Sequence, residues 1–153
     1  MQFYAALHKR IKQLGAIVRG RRPERARAVH LEVARWGESE AERLLAAKGY
    51  RILARRLRVG RRDELDLVAR DGDNLVFVEV KTRSSEDYGR PLAAVTRHKK
   101  LCLSRAAVRY LKRQHLRNVR FRFDVVEVMG AAGAATIRHL INVFPLDSRY
   151  RPP

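Results

Sequence analysis

Period-two alternation in the middle of the chain gives its clearest pair of elements. Leu75, Phe77, Glu79 and Lys81 share one face of a strand, while Val76, Val78 and Val80 share the other. Both faces are apolar apart from Glu79 and Lys81, so the strand reads as central and covered on both sides. The preceding DELDLVAR is its partner, and DGDN between them is the turn. Whether two or four residues form the loop, the position sum is unchanged and Asp66 falls opposite Glu79. The hairpin Asp63 to Arg83 is the segment around which the rest is organised.

On either side the pattern changes period. Ala34 to Lys48 predicts an amphipathic helix with Glu38, Ala41 and Leu45 on one face and Gly49 as its stop. Tyr50 to Val59 reads as an edge strand, apolar at Ile52, Leu57 and Val59 and studded with arginines. Ser84 to Arg90 is a loop. Thr96 to about His115 is a second helix, capped by Thr96 and apolar at Leu103, Ala107, Tyr110 and Leu111. Arg120 to Val128 alternates as a strand, so strand, helix, strand implies parallel pairing with a right-handed crossover. Ala131 to Ala135 is a turn, and Thr136 to Phe144 a weaker strand or return segment.

Three regions follow: an arm over 1–30, a domain over 31–144 and a loose tail over 145–153. In the arm, Phe3, Leu7, Ile11, Leu14 and Val18 recur at helical spacing before a breaker stretch, GRRPERAR. A solvated basic arm is favoured over a membrane-surface helix. The fold class expected is α/β, a mixed sheet flanked by the two helices.

Charge sharpens the picture. Lysine and arginine number 34 against 16 acids, a formal net charge of +18 over 153 residues, so a polyanion is the expected partner, with nucleic acid ahead of a membrane surface. Between Asp87 and Asp124 there is no acid, while eleven arginines and lysines occur. That reads as a phosphate-tracking surface, with Arg97, Lys99 and Lys100 nearest the hairpin. The plainer alternative is a solvated helix face. A single cysteine, Cys102, gives no internal disulfide or cysteine zinc cluster and suits a reducing cytoplasm. No apolar run has transmembrane length. The histidines show no ligand spacing, and no glycine-rich nucleotide loop occurs.

Two carboxylates facing each other in apolar surroundings repel unless a cation lies between them. Three readings compete: a structural ion pair with Lys81 or an arginine, a magnesium or manganese site built on carboxylate and carbonyl oxygens, and a metal-free acid/base pair. The last wants an aromatic-lined sugar cleft, which a chain only 7% aromatic does not suggest.

Asp66, followed at a distance by Glu79-Val80-Lys81, resembles the motif of the PD-(D/E)XK nucleases, the restriction-endonuclease-like superfamily. Gly37-Glu38, Gly49-Tyr50, Glu64-Leu65-Asp66-Leu67, Phe77 to Arg83, Tyr88-Gly89, Pro91, Lys99 and Arg122-Phe123-Asp124-Val125-Val126 together look like the YraN-like family of small bacterial proteins. The match spans about 34–144. Leu65 stands where the superfamily's name has proline, a position without chemistry.

The resemblance implies an α-β-β-β-α-β core and a metal-dependent endonuclease acting on DNA, with structured or branched DNA as a further expectation. It implies a magnesium or manganese ion on Asp66, Glu79, the main-chain carbonyl of Val80 and Glu38, with Lys81 handling the attacking water. Glu38 read alone is an ordinary first-turn glutamate. Arg83 would hold a neighbouring phosphate or form a surface ion pair. The competing class is a nucleic-acid-binding module that keeps the fold without catalysis. A homodimer is open, since cutting symmetric strands would require two-fold symmetry.

Overall fold

The computed structural model describes residues 22–83, 95–131 and 133–153. The arm up to residue 21, the loop carrying Tyr88-Gly89 and Pro91 lie outside the described residues. The elements are α1 (Arg22–Ala47), β1 (Arg51–Arg58), β2 (Glu64–Asp71), β3 (Asn74–Arg83), α2 (Arg97–Arg113), β4 (Phe121–Met129) and β5 (Thr136–Phe144). They form one five-stranded sheet in the order β1-β2-β3-β4-β5, antiparallel except for the β3–β4 pair.

Each expected strand is present within a residue or two of its expected ends. Asp71 pairs with Asn74, so Gly72 and Asp73 alone form the hairpin loop, with Gly72 at φ 53°. The two faces divide as the alternation required. Leu75 and Phe77 pack with Phe123, Val125 and the α2 residues Leu103, Ala107 and Leu111. Val76 and Val78 pack with Val126, Val128 and the α1 residues Ala41 and Leu45.

Two expectations are corrected. The first helix begins at Arg22 rather than near Ala34, so the stretch expected to break structure is mostly helical. Pro23 lies in its first turn, where proline lacks no needed N–H. The helix stops as expected: Tyr50 N–H donates to Leu45 C=O at 3.0 Å and Gly49 N–H to Ala46 C=O at 2.9 Å, with Gly49 at φ 86°. The segment after Pro145, expected to be loose, is tied back by Asp147 N–H donating to Ser104 Oγ at 3.1 Å and by Leu146 packing on the α2 side of the core.

Close approach of α1 to the sheet depends on one small residue. A Cβ on Gly37 would lie 1.9 Å from Thr82 Oγ1, so glycine there lets the helix meet the end of β3 and carries Glu38 beside it. Among the described residues no helix is long and apolar enough to cross a membrane.

Candidate active site

The hairpin opens where the chemistry lies. Its ladder runs from Asp71–Asn74 to Leu67–Val78 and ends there, one pair short of Asp66 and Glu79. Continued, it would give the Val80 N–H to the carbonyl of Leu65; instead that N–H donates to Asp66 Oδ2 at 2.8 Å. The cause is visible in β2. Leu65 and Leu67 would share a face in a regular strand, yet Leu65 packs on the α2 side and Leu67 on the α1 side. Across from them, β1 carries Arg56 at φ 44°, between the pairs Arg55–Leu67 and Leu57–Leu65. A non-glycine residue in left-handed backbone is strained, and here the strain accompanies a twist that turns Asp66 toward Val80.

Glu79 lies on the α2 side of β3 and is 2% exposed. Two lysines reach it: Lys81 Nζ is 2.7 Å from Oε1 and Lys99 Nζ is 2.8 Å from Oε2. Each oxygen of the buried carboxylate therefore faces an ammonium group. Lys99 is delivered by the start of α2, where Thr96 Oγ1 accepts from the Lys99 N–H at 3.2 Å and caps the helix. Burial, reinforced by the charge of Glu79, pushes the Asp66 carboxyl up to about 7, against the Val80 N–H and Lys99, which favour its ionised form. The pair thus carries a carboxylate and an acid that ionises only near neutrality, and any added cation at Asp66 competes with its proton.

Asp66, Glu79, Lys81 and Lys99 are brought together; the other expected residues are placed differently. Glu38 faces Arg56, with its Oε2 3.7 Å from Arg56 Nη1, although its charge is felt at Asp66. Burial raises the Glu38 carboxyl. Among the described residues no three His, Cys, Asp or Glu side chains converge closely enough to hold a metal by themselves. Lys100 turns away, its Nζ 5.6 Å from the centre of the Phe144 ring. Arg97 is exposed at the start of α2, and Arg83 ends β3 with its carbonyl accepting from Gly130 N–H at 3.0 Å. Glu42 pairs with Arg55, and Glu40 with Arg43 at 3.2 Å, both away from the pair.

Sequence reasoning placed Lys99 against phosphate and missed its contact with Glu79, which depends on how α2 crosses the hairpin. It also missed Glu127, which is 2% exposed on β4, next to Lys81 across the parallel pair. Asp124 was missed too. It is 1% exposed and accepts from Arg122 Nε at 3.0 Å, His139 Nε2 at 2.9 Å and Asn142 N–H at 2.9 Å. Arg122 continues to Tyr50 Oη at 2.8 Å and Asp71 at 2.9 Å, tying β2, β4, β5 and the turn after α1 together at the far end of the sheet.

A mixed sheet in this order, with a carboxylate pair and lysine at the opening of its central hairpin, defines an α/β protein of restriction-endonuclease-like architecture. Within that class the chain belongs to the Uncharacterised protein family UPF0102, the YraN-like family, whose model matches residues 37–128. It is 45% identical over 113 residues to a UPF0102 protein of Syntrophomonas wolfei, covering 74% of this chain and 97% of that one. A UPF0102 protein of Symbiobacterium thermophilum is 49% identical over 109 residues, covering 71% and 92%. One from Geobacter sulfurreducens is 44% identical over 111 residues, covering 72% and 86%. The matched segment contains the hairpin and the whole of α2, Lys99 included.

Proposed function

We propose that the protein is a metal-dependent phosphodiesterase of the endonuclease type, acting on DNA, with structured or branched DNA as the favoured form and the cytoplasm as its place of action. The observation that carries this reading is the opening of the β2–β3 hairpin at Asp66, which brings that carboxyl to Val80 beside a buried Glu79. The donor set suits a hard divalent cation: the Asp66 and Glu79 carboxyl groups meet beside the Val80 main chain, and Asp66 holds a proton that a cation would displace. Asp66, Glu79 and the main-chain carbonyl of Val80 would hold magnesium or manganese, with Glu38, whose charge reaches Asp66, as a further proposed contributor. The ion would polarise the phosphodiester and lower the pKa of the attacking water.

The chain's own residues do the rest. Lys81, on the same face as Glu79, positions the water and accepts or delivers its proton. Lys99 stands at the capped start of α2, where unbonded N–H groups favour anions, and it stabilises charge that develops on the phosphoryl oxygens. Arg97 and Arg83 are assigned to flanking phosphates.

One observation favours a second reading, a nucleic-acid-binding module without catalysis. Glu79 already has two lysines, so the cluster is neutralised without any metal. Cleavage of a labelled DNA panel, covering single-stranded, duplex, flap and four-way forms, separates the two. Cutting in magnesium or manganese that is lost in EDTA and in Glu79→Ala and Lys81→Ala proteins, purified identically, supports the nuclease. Binding of the same DNAs in EDTA with no cutting in either metal supports the module.

A further inference from the structure

Five arginines gather where β1 hands over to β2. Val59 N–H donates to Asp63 C=O at 2.9 Å, closing a tight loop in which Gly60 takes φ 84° and Arg61 and Arg62 are exposed. Asp63 is buried beneath it. Its carboxylate accepts from Arg105 Nε at 2.9 Å, Arg105 Nη2 at 2.6 Å and Arg109 Nη1 at 2.6 Å. The Asp63 side chain is 1% exposed, whereas those of Arg105 and Arg109 are 30% and 49% exposed. The carboxylate is thus a brace beneath two guanidinium groups that keep unused N–H donors toward solvent.

The loop is fitted to this brace, since a Cβ on Gly60 would lie 2.9 Å from Arg109 Nη1. Arg58 lies beside it, 3.8 Å from Glu64. Five cations against Asp63 and Glu64 leave an excess of three positive charges (5 − 2) on one small surface. One arginine would have satisfied Asp63 for stability alone. Holding two there, with Arg61 and Arg62 adjacent, costs mutual repulsion that a polyanion relieves.

The position of the cluster gives it meaning. Arg105 and Arg109 follow Lys99 by six and ten residues along α2, roughly 9 and 15 Å at about 1.5 Å per residue. At about 3.4 Å per step of a duplex, that is some three to four base steps. We infer that the Asp63-braced cluster of Arg58, Arg61, Arg62, Arg105 and Arg109 is a second contact for a nucleic-acid backbone, three to four steps from the phosphate at Glu79. The protein therefore engages a duplex segment long enough to span both. The distance rests on the proposed phosphodiesterase site; the contact itself does not.

The test is fluorescence anisotropy with a labelled duplex of about 20 base pairs, in EDTA over a salt series, using the full chain. Wild type is compared with Arg61→Ala/Arg62→Ala, with Arg109→Ala, and with Arg117→Ala/Arg120→Ala, between α2 and β4, as a charge-matched control. The expected result is at least about ten-fold weaker binding for the Arg61/Arg62 pair and a salt slope shallower by about 1.8, with a smaller loss for the control. Equal losses in both double variants would mean that only net charge matters and would overturn the inference. So would unchanged duplex binding, or a loss confined to anionic vesicles assayed in parallel. Because no divalent ion is present, a protein that never cuts leaves this result standing, and a protein that cuts with unchanged binding in the variants removes only the second contact.

Discussion

Asp66 ionises near neutrality, and the sign of the consequence can be worked out. The carboxyl titrates at about 7 in the fold and at about 3.9 in the unfolded chain. Between those values the folded protein holds a proton that the unfolded chain has lost. Without metal, stability from this group is full below about pH 4 and declines as pH rises through about 7, the reverse of an ordinary paired carboxylate. Urea unfolding in EDTA should show that decline, and Asp66→Asn should flatten it. At the neighbouring lysine the expectation is different: Lys81→Met should lower cleavage by at least about 100-fold while leaving manganese affinity within a few-fold, since the proposed role of Lys81 is to move protons and not to hold the ion. The nearness of Asp66 to Glu79 was legible in sequence because alternation and a tight turn set the register, but their direct opposition was not kept, since the ladder ends at Leu67–Val78 and Asp66 turns to the Val80 N–H. The Lys99 contact was not legible, because it depends on how α2 crosses the sheet, which no local pattern encodes.

Helix α1 is set against β3 through Gly37, and the helix is the element on which Glu38 rides. A Cβ at Gly37 meets Thr82 Oγ1 at 1.9 Å, so Gly37→Ala should destabilise the fold by about 1–3 kcal/mol. Adding Thr82→Ala removes the clashing oxygen and should recover much of that loss in a double-mutant cycle by denaturant unfolding. The β2 entry is held in another way. Asp63→Asn would leave Arg105 and Arg109 without their shared carboxylate; with both guanidiniums part-exposed, a loss of about 1–3 kcal/mol is expected, below the range for fully buried pairs. Neither brace could be read from the chain. Asp63 and Asp124 occupy strand-like stretches where nothing local separates a buried acid from a solvated one; the arginines of Asp63 lie on α2, and Asp124 has Arg122 on its own strand but takes its other partners, His139 and Asn142, from β5. The start of α1 was hidden for a nearer reason: Pro23 among arginines has the look of a break, although proline is well tolerated in a first turn and the residues after it are good helix formers.

At the scale of the molecule, charge and fold point to one kind of partner. A net charge of +18, a helix with no acid in its first turn and the proposed arginine cluster shared by that helix and the β1–β2 loop are the features on which the proposal of a polyanionic partner rests. Within that positive field lies the acidic pair at the opening of the hairpin, where Glu79 is paired with Lys81 and Lys99 and Asp66 ionises only near neutrality. The measurement that tests the proposed metal site most directly is manganese binding by the purified full chain at about pH 8 in the absence of nucleic acid, read by titration calorimetry and electron paramagnetic resonance. It is insensitive to contaminating nuclease. The account predicts a bound ion whose affinity falls at least about ten-fold in Asp66→Asn and in Glu79→Gln, both still folded by circular dichroism. No binding by the wild type, or binding unchanged in both variants, would contradict it and leave Lys81 and Lys99 as the site's permanent counter-ions.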